Sequence, residues 1–234
     1  MKVTLLSHTK DIESLIAAAA RTCYSASTTE EIHKSRKEVS PEKNKEFIRH
    51  LRDMGHESPL EHVSFTFGID GVSRALTHQL VRHRVASYSQ KSQRYVNEEG
   101  FDFVIPSSFE ANYSLYTDYK NFMVNVQMMY KKFVEAGVPK EDARYILPNA
   151  TTTNIVVTMN ARELLHFFSV RCCTRAQWEI RTLAWEMLRI CKEVSPTLFE
   201  GCGAFCDQHK YCKEGSMSCG KYPLLTSLMY SKEE

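Results

Sequence analysis

Apolar positions along the chain change period several times, and each period predicts an element. Val3-Thr4-Leu5-Leu6 has the pattern of a short strand. Over residues 11–21, Ile12, Leu15 and Ile16 recur at helical spacing and run into an alanine tract, so a well-packed helix is predicted. Residues 25–40 are polar and charged and read as loop. Ser40 then suits an N-cap, with Pro41 as the first helical residue and Glu42 in the first turn. Phe47, Ile48, Leu51 and Met54 form the stripe of that helix, and Gly55 marks its end.

Residues 63–69 alternate cleanly, which predicts a strand with Val63, Phe65, Phe67 and Ile69 facing the core and Asp70-Gly71 as its turn. Val72, Ala75, Leu76, Gln79 and Leu80 return to helical spacing. That helix delivers Arg82-His83-Arg84 at its C-terminal end, where cations complement the negative pole of the helix dipole. The Ser- and Gln-rich residues that follow are expected as an exposed loop. Residues 101–105 read as a strand stopped by Pro106. Residues 107–137 read as one long amphipathic helix with the stripe Tyr116, Tyr119, Met123, Val126, Met129, Tyr130 and Phe133, the kind that forms core or oligomer contacts. Pro139 opens a short helix carrying Asp142, Arg144 and Tyr145, stopped by Leu147-Pro148. Residues 152–159 are β-branched and strand-like, and residues 161–170 and 175–194 are helical, the latter with Trp178, Ile180, Leu183, Trp185 and Leu188. No repeat or linker interrupts the chain.

Composition narrows the class. A chain of 234 residues suits one domain with a sound core, and 43% hydrophobic with 25% charged residues is ordinary for a soluble protein. A formal charge of +2 argues against general nucleic-acid binding, so the locally concentrated cations favour a small anionic ligand. No apolar run approaches the ~18 residues of a membrane span, and Met1-Lys2-Val3-Thr4-Leu5 lacks a signal-peptide pattern, so a cytoplasmic location is expected. Of eight cysteines, Cys23, Cys172, Cys173 and Cys191 are scattered, whereas Cys202, Cys206, Cys212 and Cys219 crowd the C-terminal stretch with Asp207 and His209. Such crowding hints at metal, but without a C-x-x-C pair it fits no standard zinc pattern; the plainer reading is a reduced, partly ordered tail.

Three constellations carry chemistry. The run from Arg82 to Tyr95 combines guanidinium forks, ring faces and adaptable Ser and Gln donors. Four cations cannot be buried unpaired, so this is a solvated surface or a site for something anionic and planar. His56-Glu57-Ser58-Pro59-Leu60-Glu61-His62 is a second polar knot, either a site or a loop capping the next strand. In the third, Asn160-Ala161-Arg162 follows a strand, with His166 four residues beyond Arg162 on the same helical face and Arg171 and Arg175 further on. Glycine-rich dinucleotide and P-loop motifs are missing, so a dinucleotide must be held by side chains.

Arg82-His83-Arg84, seven residues, then Ser92-Gln93-Arg94-Tyr95 resembles the signature of the flavin-dependent thymidylate synthases (thymidylate synthase complementing proteins). Gly55-His56-Glu57-Ser58-Pro59-Leu60-Glu61-His62 resembles a second segment of that family, and the likeness covers most of residues 55–189. It agrees loosely over the first fifty residues and not at all after Ser195. The resemblance implies an α+β fold, a single domain with a mainly antiparallel sheet flanked by long helices over residues 1–200, assembled as a homotetramer with sites shared between subunits. A Cys-rich tail of open role follows at residues 201–234. It implies FAD as cofactor, contacted by Ser58, Glu61, Arg82, His83, Arg84, Gln90, Asn160, Arg162 and His166. It implies dUMP as substrate, contacted by Gln79, Arg82, Gln90, Lys91, Ser92, Gln93, Arg94, Arg144 and Arg171, some reaching from a neighbouring subunit. NADPH and 5,10-methylenetetrahydrofolate are the implied co-substrates, and no enzyme cysteine acts as nucleophile. Arg171 matches the arginine that promotes ionisation of the pyrimidine; Arg175 stands where some members carry histidine, and its role stays open. Two other classes fit the residues less well: a single-stranded RNA-binding module on residues 82–95, and a metal-dependent hydrolase built on His56, Glu57, Glu61 and His62 or on the tail cysteines.

Overall fold

The computed structural model describes residues 1–230. β1 (Lys2–His8) alternates exposed and half-buried side chains over its first four residues. α1 (Ile12–Thr22) buries Ile12, Ile16, Ala17, Ala18 and Ala20, as its spacing predicts. The expected loop at residues 25–40 is instead largely α2 (Thr29–Glu38). Its start is a capping box: Thr28 Oγ1 accepts the Glu31 amide at 3.3 Å, and Glu31 Oε2 accepts the Thr28 amide at 2.9 Å. Only Ile32 is buried, so no apolar stripe announces this helix. α3 (Pro41–Asp53) begins on the predicted Ser40 cap and Pro41.

A single 3₁₀ turn, Ser58–His62, leads into β2 (Ser64–Ser73), which buries Phe65, Phe67 and Ile69. The strand does not turn at Asp70-Gly71. Gly71 takes φ +68° within it, a conformation open to glycine without strain, and the strand continues to Ser73. Ser73 Oγ accepts the Leu76 amide at 3.0 Å and so caps α4 (Arg74–Leu80). β3 (Ala86–Gln90) stands where an exposed loop is expected; its polar composition hides a strand that sheet pairing, not propensity, holds in place. The expected strand at residues 101–105 reduces to one bridge, Phe103 to Thr151, ended by Pro106, which has no amide to donate.

The long helix predicted over residues 107–137 is two helices, α5 (Ser107–Glu110) and α6 (Tyr113–Glu135). Asn112 Oδ1 accepts the amides of Ser114 and Leu115, a fresh N-cap that breaks the run. On its stripe Met123 and Tyr130 are buried, whereas Met129 is exposed along with Phe122 and Met128. α7 (Lys140–Ala143) and one 3₁₀ turn, Arg144–Ile146, precede β4 (Thr152–Asn160), α8 (Ala161–Arg171) and α9 (Trp178–Val194). α10 (Phe205–His209) and α11 (Leu225–Tyr230) lie in the tail.

The strands form one antiparallel sheet in the order β1-β2-β4-β3, the centre of a single α+β domain. Within it the chain gathers into two compact units. The first holds residues 1–4, 68–82 and 88–157; its fully buried Tyr130 accepts the Glu98 amide on its hydroxyl. The second holds residues 5–67, 83–87 and, of the described residues, those from 158 onward, and packs Phe65, Phe168 and Phe199 edge to face, with centroids at 5.5 and 6.0 Å. Among the described residues no helix is long and apolar enough to cross a membrane.

Candidate active site

The second unit brings the third constellation together with His83 of the first. Asn160 ends β4 and caps α8, its Oδ1 accepting the Glu163 amide at 2.8 Å, so the helix starts with a fixed rotation. That rotation aims Arg162, Glu163 and His166 from the first turns, and Arg171 closes the helix. His83 follows α4 buried, between exposed Arg82 and Arg84. Its Nδ1 lies 3.0 Å from Glu163 Oε1, and its Nε2 accepts a hydrogen bond from Arg171 Nε at 3.1 Å. An accepting Nε2 requires the neutral ring with its proton on Nδ1, donated to Glu163. Electrostatics agree: burial, then Arg171 and His166, push His83 down to about 4. Burial raises Glu163 above the usual carboxylate range and lowers Arg171, which stays cationic. The result is a chain from carboxylate through neutral imidazole to a half-desolvated guanidinium.

A cavity of about 560 Å³ adjoins this chain, lined by Asn160, Arg162, Glu163 and His166 together with Glu57 and Glu61. Arg162 is paired with both carboxylates, 2.6 Å to Glu61 Oε1 and 3.4 Å to Glu57 Oε2. Ser58 lines a separate cavity of about 320 Å³ with Gly55, His56 and Pro59; Glu57 and Arg162 border both. Arg171 and Arg175 line a smaller one of about 260 Å³, where Arg175 pairs with Glu214 at 3.7 Å.

The first unit collects the remaining candidates. Gln90 Nε2 donates to Thr77 Oγ1 at 3.0 Å, and Lys91 Nζ reaches Glu98 at 3.0 Å. Ser92 Oγ accepts the Arg94 amide. Arg94 pairs with Glu141 at 2.8 Å, and Arg144 Nε donates to the carbonyl of that same Glu141 at 3.1 Å, so Arg94 and Arg144 meet at one residue. Arg74, which sequence reasoning missed, is half-buried and lowered by desolvation, its Nη2 donating to the Lys91 carbonyl at 2.8 Å. Gln79 is half-buried on α4.

Sequence reasoning also missed the tail. Phe205, Gln208, His209 and Lys213 line the 560 Å³ cavity. The one available signal was Phe205 and His209 at i and i+4. Cys172, Cys173, Cys206, Cys212 and Cys219 line a further cavity of about 170 Å³. Among the described residues no three His, Cys, Asp or Glu side chains form a group that could hold a metal ion. Burial pushes Cys172, next to Arg171, up to about 12, and raises Cys191 and Cys202 as well.

Residues 4–197 match the family model described as thymidylate synthase complementing protein, so the likeness extends through the first fifty residues. The chain is 51% identical over 223 residues to the flavin-dependent thymidylate synthase of Geobacter sulfurreducens, with 94% of each chain covered. It is 48% identical over 238 residues to that of Nitratidesulfovibrio vulgaris, covering 97% of each, and 44% identical over 223 residues to that of Pyrococcus abyssi, covering 92% and 90%. The first two alignments cover too much of the chain to stop at residue 197 and run into the tail, which therefore has counterparts in relatives. These matches give no support to an RNA-binding module or a hydrolase.

Proposed function

The chain belongs to the thymidylate synthase complementing protein family, and from that premise we propose that it is a flavin-dependent thymidylate synthase, making dTMP from dUMP with 5,10-methylenetetrahydrofolate as carbon donor and NADPH as reductant. The observation that carries this reading at the residue level is the Glu163–His83–Arg171 chain beside the 560 Å³ cavity. The cavity fits the cofactor: it lies within the roughly 300–1,000 Å³ of small-molecule sites, and its donors suit a polyanion. Ser58, Glu61, Arg82, His83, Arg84, Gln90, Asn160, Arg162 and His166 hold FAD, which when bound supplies the hydride that completes the methyl group. Gln79, Arg82, Gln90, Lys91, Ser92, Gln93, Arg94, Arg144 and Arg171 hold dUMP.

The protein's own contribution is charge. Loss of the pyrimidine N3 proton places negative charge on the ring oxygens, and Arg171 stabilises that form. Its guanidinium is half-desolvated, so it interacts more strongly than in water, and His83 fixes its orientation before substrate arrives. The high-lying Cys172 thiol next to it supports chemistry without a thiolate nucleophile. We assign the enzyme to the cytoplasm and to a homotetramer with sites completed between subunits. The apolar side chains that α6 leaves exposed, Phe122, Met128 and Met129 among them, support such an assembly. Purified protein is expected to carry a flavin absorbance spectrum, to convert dUMP to dTMP anaerobically with methylenetetrahydrofolate and NADPH, and to elute at the mass of four chains. Failure to take up FAD even with dUMP present would refute the function; elution as a monomer would refute the assembly alone.

A further inference from the structure

The family match stops at residue 197, yet the tail beyond it builds one wall of the 560 Å³ cavity. This wall is anchored from several sides. Arg52 Nη1 donates to the Glu200 carbonyl at 2.9 Å, Lys192 Nζ to the Cys202 carbonyl at 3.1 Å, and Cys202 is itself buried. Asp207 Oδ2 accepts the Ala204 amide at 3.0 Å while its Oδ1 pairs with Lys221 at 2.6 Å. Past α10, the backbone of Cys212 bonds both Pro223 and Leu225, which closes the segment on itself.

On this base Phe205 braces two exposed groups. The His209 ring lies 4.2 Å from the Phe205 ring, centroid to centroid and tilted by 33°, and Lys213 Nζ sits 4.3 Å above it. Lys213 makes no ion pair with any described residue. The cavity's carboxylates are engaged elsewhere: Glu57 and Glu61 on Arg162, and Glu163 on His83. Phe205 and Lys213 also border the adjoining cavity of Arg171 and Arg175, so the pair stands where the two cavities meet.

A cation set over a ring face without a carboxylate partner among the described residues, sharing that ring with an imidazole, is suited to phosphate. We propose that His209 and Lys213 bind the pyrophosphate of an adenine dinucleotide, with Phe205 as the positioning residue that holds both toward the cavity. The proposal rests on the flavin reading above and names a contribution from a segment outside the matched family region. Both FAD and NADPH carry that pyrophosphate, and the test separates them.

The test compares Lys213→Glu, His209→Ala and Phe205→Leu with wild type and with Lys34→Glu, an equal charge change on exposed α2. FAD affinity is read by equilibrium dialysis with flavin absorbance, and the KM for NADPH is read on FAD-saturated enzyme. Lys213→Glu is expected to weaken FAD about tenfold or more and His209→Ala a few-fold, the scale of lost charge-assisted contacts, while Lys34→Glu leaves both readouts alone. Phe205→Leu, which keeps an apolar side chain but removes the ring face, should weaken FAD through both partners together. If FAD affinity holds and the KM for NADPH rises tenfold, the pyrophosphate is that of NADPH. If neither moves in Lys213→Glu, the proposal is overturned. If wild-type protein itself takes up no FAD, the flavin reading beneath the proposal is what fails.

Discussion

Replacing Arg171 with alanine isolates the charge term. In the folded protein its Nε–H donates to neutral His83, and burial lowers its pKa without removing its charge. The guanidinium is therefore held, by a ring that cannot compete with it for an anion, in a medium less polar than water. Removing one preorganised donor of this kind raises a barrier by about 3 kcal/mol, on the order of a hundredfold or more in rate. The same change removes a desolvated cation and leaves His83 Nε2 without this donor, which costs about 1 kcal/mol of stability and partly offsets itself. The assay is single-turnover dTMP formation by FAD-loaded protein, with flavin content measured in the same sample. Arg171→Ala should keep its flavin and form dTMP at least a hundredfold more slowly. Turnover near the wild-type rate with full flavin loading would refute the assignment of the anion-stabilising role to Arg171.

Three other expectations test the physical reading. His83 is lowered from 6.5 to about 4, so the unfolded chain binds the extra proton between those values; its stability contribution is complete above pH 6.5 and is lost as pH falls toward 4, by about 1–3 kcal/mol after allowance for solvent access. Urea melts of His83→Phe should therefore show a shallower loss between pH 6.5 and 4.5 than wild type, and parallel curves would contradict a neutral buried imidazole. Gly71→Ala forces φ +68° on a residue with a Cβ, which meets only ordinary contact at 3.7 Å from Met1; a loss of about 1 kcal/mol in chemical denaturation with unchanged slope is expected. Finally, the Lys221 amide and the Thr174 side chain lower the exposed Cys219 thiol, whereas burial raises Cys172 to about 12, so iodoacetamide near pH 7.5 should label Cys219 long before Cys172, as read by peptide mass spectrometry; equal labelling would contradict both shifts.

What the sequence disclosed depended on which force set each element. Where burial sets it, periodicity is enough: the alternation of Phe65, Phe67 and Ile69 gives β2, and the Ser40-Pro41 start gives α3 to the residue. Where a local polar contact or a distant pairing sets it, periodicity misleads. α2 has one buried side chain and owes its start to Thr28 and Glu31; β3 is polar and exists because β4 pairs with it; Asn112 caps a new helix inside what reads as one continuous run. The site divides likewise. Arg162 and His166 announce themselves by helical spacing, and both line the same cavity. Glu163, one residue away, reads as an ordinary first-turn acid, because its partner is eighty residues distant in the chain.

That long-range contact is what gives the candidate site its electrostatic character. A protonated His83 would repel Arg171 and could not accept its Nε–H, so the site would lose its orientation and its strength together. Burial of the ring among Phe167, His166 and Arg171 prevents this, since each of these favours the neutral form: the phenyl by excluding water, the other two by proximity of positive charge or its donors. Glu163 then completes the chain by accepting from Nδ1 and so fixing that tautomer. Cationic charge thus resides on Arg171 and not on the ring beside it, which is the condition for stabilising an anion that forms only during reaction.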